Sequence, residues 1–218
     1  MILIVLVLLL LVLTHSKYVL DVSKEKAIVV AMIVRADEPS LVLSLPLWLS
    51  VTNYFVFIVD SSYNNSISSM ASSSSSSLPS TSYDILQSFI KNNSNIHTTI
   101  NMAPFTTYDR FREIALNTSI NKYPQASHIW LTNSDWLPLL STININDLDN
   151  NNDIYEFIKT NRYDNTTTEL SWIVRNMIGL KMKYSFNEII DPFSIDTNGI
   201  ITKKILKWQV DELEKYYR

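Results

Sequence analysis

Three apolar stretches of the chain each run out into carboxylates. Ala27 to Val34 leads into Arg35-Ala36-Asp37-Glu38, Tyr54 to Val59 into Asp60, and Ile129 to Leu131 into Thr132-Asn133-Ser134-Asp135. Carboxylate oxygens are what a hard divalent cation such as Mg²⁺ or Mn²⁺ takes as ligands, often few from the protein and the rest from phosphate and water. Asp37 and Asp60 could equally accept hydrogen bonds from sugar hydroxyls or base N–H groups. Arg112, within Asp109-Arg110-Phe111-Arg112-Glu113, could hold a phosphate through two parallel N–H bonds. Plainer roles stand beside these. Asp135 could cap a following helix, Asp60 could open a turn with Ser61 and Ser62, and Arg112 could be a solvated surface residue.

The elements that must position these groups follow from the pattern of apolar residues. Ala-Ile-Val-Val-Ala-Met-Ile-Val at 27–34 and Tyr-Phe-Val-Phe-Ile-Val at 54–59 are continuous β-rich runs, as expected of parallel strands buried on both faces. Pro39, with Asp37 and Glu38 before it, suits the start of a helix over Leu41 to Ser50, which Pro46 should kink or shorten. Strand, helix, strand in that order predicts a parallel sheet, and ligands of such sheets bind outside the carboxyl ends of the strands. Further along, the spacing predicts a helix over Tyr83 to Lys91, a strand over Ile96 to Ile100 and an amphipathic helix over Thr107 to Tyr123. The central strand ending at Asp135 follows, then an Asn/Asp-rich loop from Asn144 to Asp153. Ile154 to Lys159 reads as a helix end, Glu169 to Val174 and Ile178 to Tyr184 as strands, and Ile201 to Tyr217 as a closing amphipathic helix. Trp130, Trp172, His97 and His128 read as structural.

Composition removes several chemistries. The 218 residues suit one ordinary domain, and 46% hydrophobic content is normal for one. A net charge of −3 offers no basic face for nucleic acid. Cysteine is absent, which excludes disulfides, zinc–thiolate sites and cysteine nucleophiles. Histidines occur only at 15, 97 and 128, and glycines only at 179 and 199. Two glycines cannot build a P-loop or a dinucleotide-binding loop.

Ile2 to Leu13 is a run of twelve aliphatic residues, short of the ~20 needed to span a bilayer. Its length fits a secretory signal peptide over residues 1–16, cleaved near Ser16, or a short signal anchor that would associate the protein with a membrane. Both place the chain in the secretory pathway, in the ER or Golgi lumen or outside the cell; the remaining alternative is a buried strand of the domain. Sequons at Asn64, Asn92, Asn117 and Asn165 occur about as often as chance gives in so Asn-, Ser- and Thr-rich a chain. Residues 61–82, with serine uninterrupted from Ser72 to Ser77, cannot bury apolar area and read as a disordered surface insertion.

From Lys26 onward the chain resembles the family 2-like glycosyltransferases, through weak motifs in the right order. Ala31 to Glu38 resembles the opening strand with its Lys-Asn-Glu-Glu turn, and Phe57 to Ser62 the second strand with its nucleotide-binding Asp. Phe105 to Leu116 is similar to the segment in which an aromatic-Asp pair precedes Arg-Asn-x-Ala-Leu; Arg112 matches the Arg, and Glu113 stands for the Asn. Trp130 to Asp135 occupies the place of the metal-binding Asp-x-Asp, with Asn133 for the first Asp. Trp172 to Asn176 and Tyr184 to Glu188 resemble the later strand pair, with Asn187-Glu188 for His-Glu.

The resemblance implies a fold and an activity. The fold is α/β and GT-A-like, a Rossmann-type, mostly parallel sheet flanked by helices in a single domain over 26–218. The activity is metal-assisted, inverting transfer of a sugar from a nucleotide-sugar donor, a UDP-sugar for preference, to a hydroxyl of a glycan, protein or lipid. Asp37, Glu38, Asp60, Arg112 and Asn133 would bind the nucleotide sugar. Asp135 would hold Mn²⁺ or Mg²⁺, and Glu188 would be the general base. The alternative is a non-catalytic GT-A-like binding module of the secretory pathway.

Overall fold

The computed structural model describes residues 25–62, 82–149, 151–160, 167–177, 180–182, 193–195 and 201–212. Its elements run β1 (Glu25–Val34), α1 (Leu41–Leu49), β2 (Tyr54–Asp60), α2 (Ser82–Asn92), β3 (His97–Ala103), α3 (Tyr108–Lys122), β4 (Ala126–Asn133) and β5 (Trp136–Pro138), followed by β6 (Ile154–Thr160), β7 (Thr167–Arg175), β8 (Leu180–Met182), β9 (Phe193–Ile195) and β10 (Lys203–Glu212). Short 3₁₀ turns at Leu140–Thr142 and Ile145–Asp147 follow β5.

Eight strands form one sheet in the order β3-β2-β1-β4-β7-β6-β10-β5. The pairs β1/β2, β1/β4, β2/β3 and β6/β10 are parallel, while β7 is antiparallel to both its neighbours and β5 is antiparallel to β10. Only β5 and β7 therefore run against the rest, and the carboxyl ends of the other six strands share one edge. The architecture is the α/β, Rossmann-type, mostly parallel sheet expected from the sequence, with helices on both faces. β8 and β9 pair in a small separate ribbon.

The continuous apolar runs are explained by what lies on each side of the sheet. Ile28, Val30, Met32 and Val34 of β1, with Phe55 and Phe57 of β2, pack against Leu41, Leu45 and Trp48 of α1 and Leu86 of α2. The alternate residues Val29, Ala31, Ile33, Val56 and Ile58 pack against Phe111, Ala115 and Leu116 of α3. A period of two with both faces covered leaves no position polar. Trp130 and Trp172 are core residues as expected, on opposite faces. Pro46 lies inside α1, which ends at Leu49; a missing N–H shortens a helix in this way. The Trp48 indole N–H then donates to the Trp136 carbonyl at 2.9 Å, tying α1 to β5.

Two expected helices are strands. In β6, Ile-Tyr-Glu-Phe-Ile-Lys-Thr, Tyr155 and Phe157 point to the α1 face while Ile154 joins the α3 face. The run is too short for a helix and is rich in β-branched and aromatic residues, and β7 and β10 complete its ladder on both sides. In β10, Leu206, Trp208 and Val210 are buried, whereas Ile205, Lys207 and Gln209 face outward. Ile205 is 76% exposed while its neighbour Leu206 is buried, the alternation of a strand and not of a helix. Ser82, placed in the insertion by its composition, is buried at the start of α2 and accepts the Glu38 backbone N–H at 2.8 Å.

The N-terminal apolar run, most of the Ser-rich stretch, Asn187 and Glu188 lie outside the described residues. No described helix is long and apolar enough to cross a membrane.

Candidate functional site at the carboxyl edge of the sheet

The pairing of β1 with β4 sets the geometry. Ile33 lies opposite Asn133, and the Ser134 N–H donates to the Ile33 carbonyl at 2.9 Å. Two residues further along each chain stand Arg35 and Asp135, so the ladder delivers a guanidinium and a carboxylate to neighbouring strand exits. Asp135 is buried at 6% exposure, while Arg35 is exposed at the mouth. The Arg35 guanidinium donates to the Tyr108 hydroxyl at 3.3 Å. It is held in its charged form more firmly than an ordinary arginine. The Tyr108 hydrogen bond contributes most, partial burial opposes it, and the charges of Asp135 and Glu38 add to it.

Glu38 is buried beneath this pair. Its Oε1 accepts from the Ser40 hydroxyl at 2.5 Å and from the Ser40 N–H at 3.4 Å, and the same hydroxyl lies 3.3 Å from the Ser134 carbonyl. Ser40 is the N-cap of α1, so Glu38 pins the start of that helix to the exit of β4 while contributing negative charge beside Arg35. Asp37 is exposed on the turn next to it.

Asp60, one strand away, uses Oδ1 to accept the Ser62 N–H at 2.8 Å and the Phe105 N–H at 3.1 Å. The turn with Ser61 and Ser62 is thus real, and it also anchors the segment between β3 and α3. That segment places the exposed Phe105 ring against Tyr108, with centroids 5.3 Å apart and edge-to-face, and against Phe111 at 5.2 Å. The chain from Asp60 through Phe105 and Tyr108 to Arg35 is therefore continuous.

Arg112 follows Tyr108 by one helical turn, on the same side of α3. Its guanidinium lies over the Trp172 ring at 5.5 Å and 3.9 Å from Asp109. Trp172 pairs with Leu131, which puts Arg112 near the last turnings of β4. Glu113 pairs with Arg110 at 2.5 Å rather than completing the Arg112 site. Asp135 leads directly into β5 rather than into a helix, so the capping role considered for it does not arise.

Asn133 ends β4 with its side-chain Oδ1 buried and without a hydrogen-bond partner. As a neutral oxygen turned inward it adds little to a cation site. Among the described residues no three His, Asp or Glu side chains converge as metal ligands. The donor set fits a divalent ion in one form only, with Asp135 as the protein carboxylate and a bound diphosphate and water as the other ligands.

The histidines stand apart from the crevice. His128 is buried, with Nδ1 2.8 Å from the Ser127 hydroxyl and its ring against Tyr155; His97 stacks on Tyr54. Sequence reasoning missed Arg35, Tyr108 and Phe105. The signal for Arg35 is present in the sequence, since it is the first polar residue after the β1 run, but nothing local to it tells that Tyr108 lies across from it.

No protein-family model matches the chain, and no curated protein matches it in sequence. Among solved structures it is similar to the inositol-1-phosphate CTP transferase from T. maritima, at 10% identity over 87% of this chain and 90% of that one, with a TM-score of 0.45. It is also similar to 4-diphosphocytidyl-2C-methyl-D-erythritolsynthase from Anaerococcus prevotii DSM 20548, at 13% identity over 71% and 72% of the two chains and a TM-score of 0.41. HddC from Yersinia pseudotuberculosis gives 10% identity over 85% and 93%, with a TM-score of 0.43. None of the three bears a glycosyltransferase's name, and at these scores the likeness does not extend to residues or chemistry.

Proposed function

We propose that the chain is a nucleotide-sugar-dependent transferase that moves a sugar, from a UDP-sugar for preference, to a hydroxyl of a glycan, protein or lipid. The observation that carries the reading is the placing of Arg35 and Asp135 at adjacent strand exits, with Asp60 on the next strand and Arg112 one helical turn from Tyr108. That set suits a ligand with an anionic centre and a polar nucleoside.

In such a transfer the acceptor oxygen bonds to the anomeric carbon as the bond from that carbon to the phosphate oxygen breaks. The electron pair leaves with the diphosphate, and the acceptor proton passes to a general base. Arg35 and Arg112 would hold the diphosphate and offset the charge that grows on it. Asp60 would accept from the nucleoside through its carboxylate. Asp135 would hold Mn²⁺ or Mg²⁺ against the diphosphate, and that ion would supply further charge neutralisation. The resemblance names Glu188 as base and inversion as the outcome. The aliphatic run at residues 2–13 supports placement in the secretory pathway.

Asn133 favours a second reading. With a neutral residue whose Oδ1 is turned inward at the strand exit, the domain would bind a sugar nucleotide without turning it over. Sugar-nucleotide hydrolysis separates the two. Turnover by the unaltered protein supports the transferase, whereas turnover only after Asn133→Asp supports the silent binding module.

A further inference from the structure

We infer that β3 is a pairing surface for a second copy of this chain. Two protomers join their β3 strands antiparallel about a two-fold axis at Ile100, and the sheet runs on from one into the other. The inference stands apart from the nucleotide-sugar reading.

The first ground is the contrast between the two ends of the sheet. At one end β5 has three residues and finishes in Pro138, and a short, proline-bearing strand makes a blunt edge. At the other end β3, His-Thr-Thr-Ile-Asn-Met-Ala, has seven residues. It carries no Asp, Glu, Lys, Arg or proline, and its register with β2 is unbroken from His97 to Ala103. Charges, prolines and bulges are what keep an edge strand from pairing with another chain, and β3 has none of them.

The second ground is the backbone. The His97 N–H donates to the Asn53 carbonyl at 2.7 Å, and the Ala103 carbonyl accepts from the Ser61 N–H at 2.9 Å. Residues 97, 99, 101 and 103 therefore face β2, and the N–H and C=O groups of Thr98, Ile100 and Met102 face outward. No described strand takes them. This row is its own complement. Turned end for end about Ile100, it sets Ile100 opposite Ile100 of the partner subunit and Thr98 opposite Met102 of the partner subunit, each as a hydrogen-bonded pair.

The third ground is the side chains. Ile100 packs against the α1 face of the core, whereas the Thr99 hydroxyl lies 3.2 Å from the Tyr123 hydroxyl on the other face. Thr98, Ile100 and Met102 thus share the α1 face. On that face Met102 is 40% exposed, and Ile96, Ile100 and Phe89 of α2 pack on the core only partly buried. Phe89 stands edge-on to Phe55 of β2, with centroids 5.8 Å apart. A second β3 lays isoleucine on isoleucine and threonine on methionine along this rim, pairs that stabilise a sheet and bring no like charges together.

The test is the mass of the full chain in solution, by sedimentation equilibrium over a range of concentrations. The inference expects a reversible dimer. Thr98→Lys with Met102→Lys puts like charges directly opposite in both symmetry-related pairs, and should raise the dimer dissociation constant at least about tenfold. Thr98→Lys with Met102→Glu puts opposite charges there, and should leave the constant within about threefold of the parent's. A parent that stays monomeric overturns the inference. Self-association that the like-charge variant leaves unchanged also overturns it, and is the result expected if the apolar run at residues 2–13 drives association instead. Loss of the dimer in both double variants overturns the pairing about Ile100. Misfolding of the like-charge variant would not rescue the idea, because the parent's mass and the opposite-charge variant still decide it.

Discussion

Asp60 Oδ1 receives two backbone N–H groups, from Ser62 and Phe105. Asp60→Ala should therefore cost about 1 kcal/mol of stability in chemical denaturation as well as weakening nucleotide binding. Asp60→Asn keeps an acceptor oxygen, so it should preserve the denaturation midpoint while still weakening binding; equal losses in both measurements would make Asp60 a scaffold residue only. Trp172 has a different balance. It is 7% exposed and lies under Arg112, so Trp172→Ala should cost roughly 3 kcal/mol or more of stability, whereas Trp172→Phe should keep most of it. At this scale the sequence showed the carboxylates, because a charged residue ending an apolar run is visible locally. It did not show that the Phe105 N–H reaches Asp60, or that Arg35 and Tyr108 meet across 73 positions, because those contacts exist only once the sheet has assembled.

The elements were legible wherever a run was long and uniform. β1, β2, β4 and the three helices fall within a few residues of where periodicity put them, while β6 and β10 were read with the wrong period. Both carry charged residues between apolar ones, and five to seven such positions fit a helix face nearly as well as a strand. Their strand character comes from each other and from β7, neighbours that no local window contains. The loop before β6 is fixed by Asp149. Burial alone would push its carboxyl up, yet hydrogen bonds from Tyr155, Asn151, Asn152 and Lys204 outweigh that and hold it well below the usual carboxylate range. Burial is also the main cause that raises the Tyr155 hydroxyl, to about 12. A carboxyl depressed in the folded state contributes stability that is fully present above its unfolded value of ~3.9 and is lost as pH falls through the folded one. Asp149→Asn should accordingly lower the melting temperature at pH 7 and narrow its gap from the parent between pH 4 and pH 2. A gap that stays constant over that range would show that the Asp149 charge does not hold the loop.

For the whole molecule, the strand order brings the exits of β1, β2 and β4 together, and with them Asp37, Glu38, Asp60, Asn133 and Asp135, while Arg112 comes from α3. Fold class followed from runs of apolar residues and their order, which is information a sequence carries well. The chemistry of the crevice depends on which exits are neighbours and on which side chains cross between them, and that is set by register. The most direct measurement is the thermal unfolding of the full chain in a panel of nucleotides and nucleotide sugars, each with EDTA and with Mn²⁺. A ligand present at about 100 times its Kd stabilises the folded state by ~2.7 kcal/mol, which for a chain of this size raises the midpoint by roughly 5–10 °C. The account predicts such a rise with UDP or a UDP-sugar, reduced by Asp60→Asn and by Arg35→Gln. No rise with any nucleotide or nucleotide sugar, in either condition, would contradict it.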